Sequence, residues 1–583
     1  GRDPSRASVL AGAAVSFIAA LFLLRAIRPA LLLDAEPSWA LPRFALGLAV
    51  VALCGACGTL SAGGFLLWSR TRSAGRELPP LALPRAALGL LAAGALAAGI
   101  LLRFAGLERV PEPLWLDDVS LIGPALSLEG SPRDFADSVR AAPAGVARPY
   151  GSVGVLYLEA YRLALASFGT TVVGVRLLSA LAGSLSLVTA GLLGRALLPR
   201  GGGALAVLAL AGLRWSLILS RWGWVQIVLA PIVDVACLLL IAARRRASAM
   251  LALAAGAVAG LGAHVYLSAW IAAAGLVAFA AWPLETAERT GARLRLAALV
   301  LLGFGAAAAP LFLLREGRRA PYFARAGDHN VVSEVRRERS PLPPLAAAAD
   351  ALAGPWLLAD PSPRNDLPGR RRLGWLLGVP VALCFARAIL RPRSELSALL
   401  LAQAVAAFAA SVAGGQAGSP NGARFAYLTT LTALASAAGA LALSTSWRER
   451  WRRPAAAAAV GLIAIAGAAG ARDALLDWPT RRETFDGFHG QDTLIGRAAA
   501  RWAERGTVSI QPGLGHSDVL IRAVSTYRLG AHPRTAGSGR PPRRFRVVSP
   551  AAPPAPGERV VERVRDGWGR EWAVVLGRAG REP

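Results

Sequence analysis

Apolar positions in this chain are gathered in long unbroken runs, and short stretches carrying arginine, proline and tryptophan separate them. A run of about 18 or more apolar residues is long enough to cross ~30 Å of hydrocarbon as a helix. Inside a bilayer only helices and closed barrels satisfy every backbone N–H and C=O. The strand-like alternation of a barrel is missing here. Length and hydropathy place candidate spans at 9–33, 43–68, 86–103, 171–198, 202–219, 225–243, 248–263, 265–282, 296–314, 373–391, 395–413, 424–446 and 454–471. The pattern predicts an all-α polytopic membrane protein of about 13 transmembrane helices with a small α/β C-terminal domain outside the membrane.

The residues between the runs supply an orientation. With Arg2 and Arg6 in the cytoplasm, the next loop, with Asp34 and Glu36, lies outside. Arg70, Arg72 and Arg76 then lie inside. So do Arg195 and Arg200, the triplet Arg244 to Arg246, Arg289 and Arg293, Arg391 and Arg393, and Arg448 to Arg453. This is the positive-inside pattern. Trp68, Trp282, Trp375, Trp447 and Trp478 stand near span ends, as interfacial belt residues do. The segment 151–169 is mostly apolar but carries Glu159, Tyr161 and Arg162. Counted as a span it would invert every later loop, so it is expected as a helix lying on the outer surface.

Two long outer loops follow, from Phe104 to Thr170 and from Arg315 to Arg372, and the chain beyond Arg472 also lies outside. The expected organisation is two extra N-terminal helices in 1–85, a membrane core in 86–471 and an extracytoplasmic domain in 472–583. In the last of these, Ile495 to Arg505 reads as a helix. Val508 to Gln511, Arg544 to Val548 and Trp572 to Leu576 read as strands, and Pro550 to Pro556 as a linker. No repeat of fixed period is present.

Composition changes this picture little. The hydrophobic fraction is 54% and the mean hydropathy +0.46, too apolar for an ordinary soluble chain. The net charge of +28 would point to nucleic acid in a soluble protein. Here every basic residue is arginine, and most sit where orientation signals belong, so membrane lipids and not nucleic acid are the expected surroundings. Cys54 and Cys57, a CxxC, and Cys237 and Cys384 lie in apolar runs, where thiolate chemistry is suppressed and packing is the expected role. The only methionine is Met250 and the chain opens at Gly1, so the native N-terminus is expected to lie upstream; the run from Ser8 to Leu33 is expected as a membrane helix. His329, His489, His516 and His532 lack metal-ligand spacing, and no P-loop is present.

The sharpest candidate chemistry is Trp115-Leu116-Asp117-Asp118, just past the outer end of the span 86–103. Adjacent carboxylates beside a membrane are costly to keep charged unless water or a cation serves them. The competing reading is a helix cap ahead of Val119 to Leu128. Asp234, inside a span, reads as a buried neutral carboxyl of the helix bundle.

An acidic pair in a long outer loop resembles the GT-C superfamily of polyprenyl-phosphate-sugar glycosyltransferases. The family 39 type, with protein O-mannosyltransferases and aminoarabinose transferases, is the branch it resembles most. Further segments are similar in order: Arg148-Pro149-Tyr150 with Val155 to Ala160, Val175 to Ala180 with Gly194-Arg195, Ser220 to Trp224, Asp360 to Gly369, and Ala423-Arg424-Phe425. The chain departs from the family in Asp118, where Glu is usual, in Phe425, where Tyr is expected, and in Ala230 before Pro231, where some members carry a carboxylate.

The resemblance implies an inverting transferase that moves a sugar from a polyprenyl-phosphate carrier to an acceptor hydroxyl or amine on a protein, lipid or glycan. Asp117 would be the base and Asp118 its neighbour. Arg148, Tyr150, Arg221, His264 and Arg424 would bind substrate or lipid phosphate. No cofactor is implied, and a divalent cation is possible. A phosphate leaving group needs no general acid, only a base for the acceptor and cations for the developing charge. The expected location is a bacterial plasma membrane with the site on the extracytoplasmic side. The rival readings are a transporter or lipid flippase, and a non-catalytic relative of the fold.

Overall fold

The computed structural model describes residues 80–126, 155–285, 289–313, 331–338, 359–414, 422–445, 449–530 and 543–578, with a few single positions between them. The expected spans 9–33 and 43–68 lie outside the described residues. Apolar helices occupy the other eleven expected positions, but the expected span 202–219 breaks at Gly212 and Leu213 into Gly202–Ala211 and Arg214–Leu219. Among the described residues, seven helical runs are long and apolar enough to cross a membrane: Arg85–Phe104, Val172–Leu197, Val225–Arg246, Thr290–Ala308, Glu395–Ala413, Gly422–Ser444 and Glu449–Asp477. Four shorter apolar helices accompany them, Gly202–Ala211, Ala249–Ala263, Ala269–Ala281 and Gly374–Leu390.

Local sequence sets the helix ends. The Thr171, Ser248 and Ser394 side chains accept the N–H of Gly174, Leu251 and Ser397 and so cap three helices. Gly201, at φ +95°, turns the chain into Gly202–Ala211 through a conformation that disfavours a side chain. Helices then approach through small residues. Along the contact between Ala249–Ala263 and Thr290–Ala308, a Cβ at Gly256, Gly260 or Gly303 would collide with the facing backbone. This is the small-residue packing that lets helices approach closely where lipid supplies little driving force.

The two ends of the bundle are held by different chemistry. At one end Arg244 donates to the carbonyls of Phe279 and Trp282, Arg245 pairs with Glu395 and bonds the Ala196 carbonyl, and the Trp282 indole donates to the Pro392 carbonyl. These are loops the arginine pattern assigned to one common side. At the other end Arg214 bonds Asp366 at 2.5 Å and Asp473 at 2.9 Å, and Arg372 bonds Asp360 at 2.7 Å. Asp360 also accepts the N–H of Gly422, and the Trp478 indole donates to the Pro363 carbonyl. Arg370 to Arg372, a basic cluster at the end of the second long loop, find partners within the chain. Arg370 reaches Asp473, Arg371 lies over Trp375 and Arg372 pairs with Asp360.

The apolar segment expected on the surface forms Val155–Phe168. Fourteen residues rise only about 21 Å, short of a bilayer core. It buries Tyr157, Tyr161 and Leu165 while Leu156 and Leu163 stay exposed.

The C-terminal region folds as an α/β unit. We number its elements α1 Gly490–Ala503, β1 Gly506–Ile510, α2 Asp518–Thr526, β2 Arg543–Val548, β3 Glu558–Arg565 and β4 Glu571–Arg578. The sheet order is β1-β2-β4-β3, with β1 and β2 parallel and the other pairs antiparallel. Two of these elements were not anticipated, α2 and β3. The β3 sequence ERVVERVR reads as a solvated stretch because its charges are cross-paired: Arg563 and Arg565 with Glu571, and Glu562 with Arg501. Charged side chains on an edge strand also block unwanted pairing. Residues 550–556 are the connection from β2 to β3 within this unit.

Candidate functional site

The acidic pair stands in a five-residue helix, Leu116–Ser120, reached from the end of Arg85–Phe104 through the connection 105–115. Trp115 is the N-cap residue. The Asp118 carboxylate, one turn inside this helix, reaches back to accept the Trp115 N–H at 3.3 Å, so Asp118 braces the start of Leu116–Ser120 and is not the N-cap of a helix beginning at Val119. Asp118 is wholly buried, and its second oxygen has no hydrogen-bond partner among the described residues. Asp117, one residue earlier, is half-buried. The turn is held from behind by Tyr161, whose hydroxyl donates to the Asp118 carbonyl at 2.7 Å.

Burial pushes the Asp118 carboxyl up to about 7, against the Arg176 cation; the Asp117 charge raises it further, while the Trp115 N–H and Arg364 lower it. The two neighbouring carboxyls are therefore driven into different environments, which is how acid–base roles are separated on one site.

Three remote parts of the chain meet at Trp115. The Arg364 guanidinium lies 3.6 Å from the centre of the indole. The His489 ring stacks on it at 5.0 Å, and His516 stacks on His489 at 3.7 Å. His489 holds a left-handed backbone, φ +50°, uncommon for a non-glycine residue. Burial, His516 and Arg364 together hold its imidazole down to about 4, so it stays neutral near pH 7. The C-terminal unit is anchored on the acidic connection itself. Thr493 accepts the Leu114 N–H at 3.1 Å, and Arg497 bonds the Glu112 carbonyl and carboxylate. Phe488 packs edge-on against Trp222 and Trp478.

The remaining expected residues fall in different places. Arg148 and Tyr150 lie outside the described residues. Arg221 is buried and spends its guanidinium on carbonyls, those of Leu102, Arg103, Ala105 and Val110. It ties down the end of helix Arg85–Phe104, where orphan carbonyls need donors. His264 is buried, with Nε2 against the Ala307 carbonyl at 3.0 Å, and bridges two helices. Arg424, at the start of the run Gly422–Ser444, is partly exposed and makes no hydrogen bond or ion pair among the described residues. Asp234 is buried between three helices, where Thr189 and Thr430 donate to the same carboxyl oxygen at 2.5 and 2.8 Å.

Among the described residues no three histidine, cysteine or acidic side chains converge as a metal site. Arg364 and His489 were missed as neighbours of the acidic pair, because nothing in the local sequence links them to Trp115.

No family model matches the chain, and no curated protein matches it. Among solved structures it is similar to ArnT from Cupriavidus metallidurans in the apo state, with TM-score 0.49 and 15% identity over 84% of this chain and 98% of that one. It is similar to ArnT bound to undecaprenyl phosphate, with TM-score 0.45 and 16% identity over 86% of this chain and 99% of that one. It is also similar to the oligosaccharyltransferase AglB from Archaeoglobus fulgidus in complex with an inhibitory peptide and a dolichol-phosphate, with TM-score 0.44 and 16% identity over 78% of this chain and 61% of that one. These identities and TM-scores are too low to carry a family, a substrate or a mechanism over to this chain.

Proposed function

We propose that this chain is a membrane-embedded glycosyltransferase that moves a sugar from a polyprenyl-phosphate carrier to an acceptor hydroxyl or amine on the extracytoplasmic face, with Asp117 as base. The observation that carries the reading is the acidic pair itself. A half-buried carboxylate stands beside a buried one, at the junction of a membrane helix, the segment 359–372 and the C-terminal unit. The ordered resemblance of the surrounding motifs supports the same reaction class.

In this mechanism Asp117 takes the acceptor proton as the acceptor attacks the anomeric carbon. The bond from that carbon to the phosphate oxygen breaks on the opposite face, so the configuration inverts. Polyprenyl phosphate leaves with the bonding pair and needs no proton. Arg424, whose guanidinium makes no hydrogen bond or ion pair among the described residues, takes the phosphate oxygens in this reading. Arg221, whose donors lie on helix-end carbonyls, acts on the shape of the site. Arg148, Tyr150 and His264 stay as weaker candidates for the carrier.

The test is transfer from defined lipid-linked sugars by the purified protein, scored by mass spectrometry of the products. Transfer by the native chain and its loss in Asp117→Asn, with the lipid still bound, is the expected result. Near-normal transfer by a well-folded Asp117→Asn would sink the assignment.

A further inference from the structure

We infer that Arg176 is a positioning residue that sets the geometry and charge of the acidic pair; the inference rests on the proposed role of that pair. Arg176 stands in the first turns of helix Val172–Leu197 and is wholly buried. Its two terminal nitrogens donate to the carbonyls of Leu107, at 2.8 Å, and Pro113, at 2.9 Å. Those carbonyls lie near the two ends of the connection that leads from helix Arg85–Phe104 to the acidic turn. Guanidinium donors are fixed in a planar fork. One side chain therefore ties both ends of the connection to a separate membrane helix, and Asp117 follows within about one helical turn of Pro113.

The same cation acts on Asp118, where it is the strongest influence opposing burial. The groups that face Asp118 are Arg176 from its helix, Arg364 from 359–372, Tyr157 and Tyr161 from Val155–Phe168, and Asp117 from its own turn. Arg221 and Arg497 face Arg176 in turn. Arg221 makes a useful contrast. It also bonds carbonyls beside this connection, at Ala105 and Val110, but it is not among the charges acting on Asp118. A merely structural arginine and a positioning one are thus both present, on the same segment.

The experiment is an infrared titration of the Asp118 carboxyl band in the full-length protein, assigned by its loss in Asp118→Asn. Arg176→Met should move the midpoint upward by ~1–3 pH units, because an opposite charge close by is removed. Arg221→Gln should leave it in place. Arg176→Lys keeps the charge but not the fork. It should hold the midpoint and lower kcat with little change in KM, because a misplaced base affects turnover and not binding. An unmoved midpoint in a folded Arg176→Met, or an unchanged kcat in Arg176→Lys, overturns the inference. If the native protein transfers no sugar from any donor, the proposed function fails, and the titration still decides whether Arg176 governs Asp118. If Arg176→Met does not fold, the Arg176→Lys midpoint and kcat decide it.

Discussion

Asp118 and Asp234 are both almost completely buried, and each leaves one carboxyl oxygen without a hydrogen-bond partner among the described residues. Their surroundings differ in kind. Asp234 receives two threonine hydroxyls on one oxygen, and neither is charged. Asp118 receives a single backbone N–H and faces two arginines and a second carboxylate. Hydroxyl donors fix a carboxyl in place, whereas nearby charges make its protonation responsive to whatever else enters the site. Burial alone therefore does not mark a reactive carboxylate. The charge around it separates the two, and on the proposed function the acidic pair is the reactive one and Asp234 is part of the packing.

Four measurements break or sharpen this contrast. The largest effect belongs to Asp117→Asn, which should lower sugar transfer by about 10²- to 10⁴-fold, the usual worth of a positioned base, in a kinetic assay with lipid-linked donor. Carrier binding, read by a direct binding assay, should be retained. A loss of less than about tenfold would remove the acidic pair from the chemistry, far below what a lost base costs.

Asp118 gives the next effect, in the pH dependence of stability. Its folded pKa, about 7, lies well above the ordinary carboxyl range, so the folded state holds this proton more tightly. The resulting stabilisation is fully present below about 4 and is lost as pH rises through about 7. Thermal melts in detergent should fall over that window by an amount on the order of a few kcal/mol in stability. The slope should flatten in Asp118→Asn. Parallel pH profiles for the two proteins would show that Asp118 does not titrate there.

Arg424→Ala should weaken the carrier by on the order of tenfold, the scale of one charge-assisted contact. The defect should appear in KM for the lipid-linked sugar and shrink at high donor concentration. An effect on kcat alone would move Arg424 away from ground-state phosphate binding. Thr430 lies on the same helical run, so damage to helix packing would also appear as loss of stability.

The smallest effect is expected from Asp234→Asn. The amide oxygen can still accept the Thr189 and Thr430 hydroxyls, so stability should change by no more than about 1 kcal/mol and transfer by no more than a few-fold. A large loss of transfer with unchanged stability would erase the distinction between the two carboxylates.

The helices were legible because crossing a bilayer is a one-dimensional demand on length and apolarity. Val172–Leu197 and Glu395–Ala413 lie within two residues of their expected bounds. The acidic pair was legible as chemistry, since two carboxylates beside an apolar run are costly whatever surrounds them. Strand β3 was not, because its alternation carries charges that only cross-strand partners explain. Arg221 shows the same limit. Its position at the outer end of a span fits a phosphate contact, yet its guanidinium is spent on the carbonyls of another helix.

The sequence by itself determined that the chain is membrane-embedded, where its apolar helices lie, and that Asp117 and Asp118 stand where a helix gives way to a polar loop. Each of these follows from local composition and order. Tertiary structure alone decided which arginines are free and which are consumed. It paired Arg214 with Asp366 and Asp473, spent Arg176 and Arg221 on carbonyls, left Arg424 without a hydrogen bond or ion pair among the described residues, and stacked His489 and Arg364 on Trp115. The physical reason is that an arginine's role is set by which acceptors lie within hydrogen-bond reach. Those acceptors come from helices and loops remote in sequence, and packing alone brings them together.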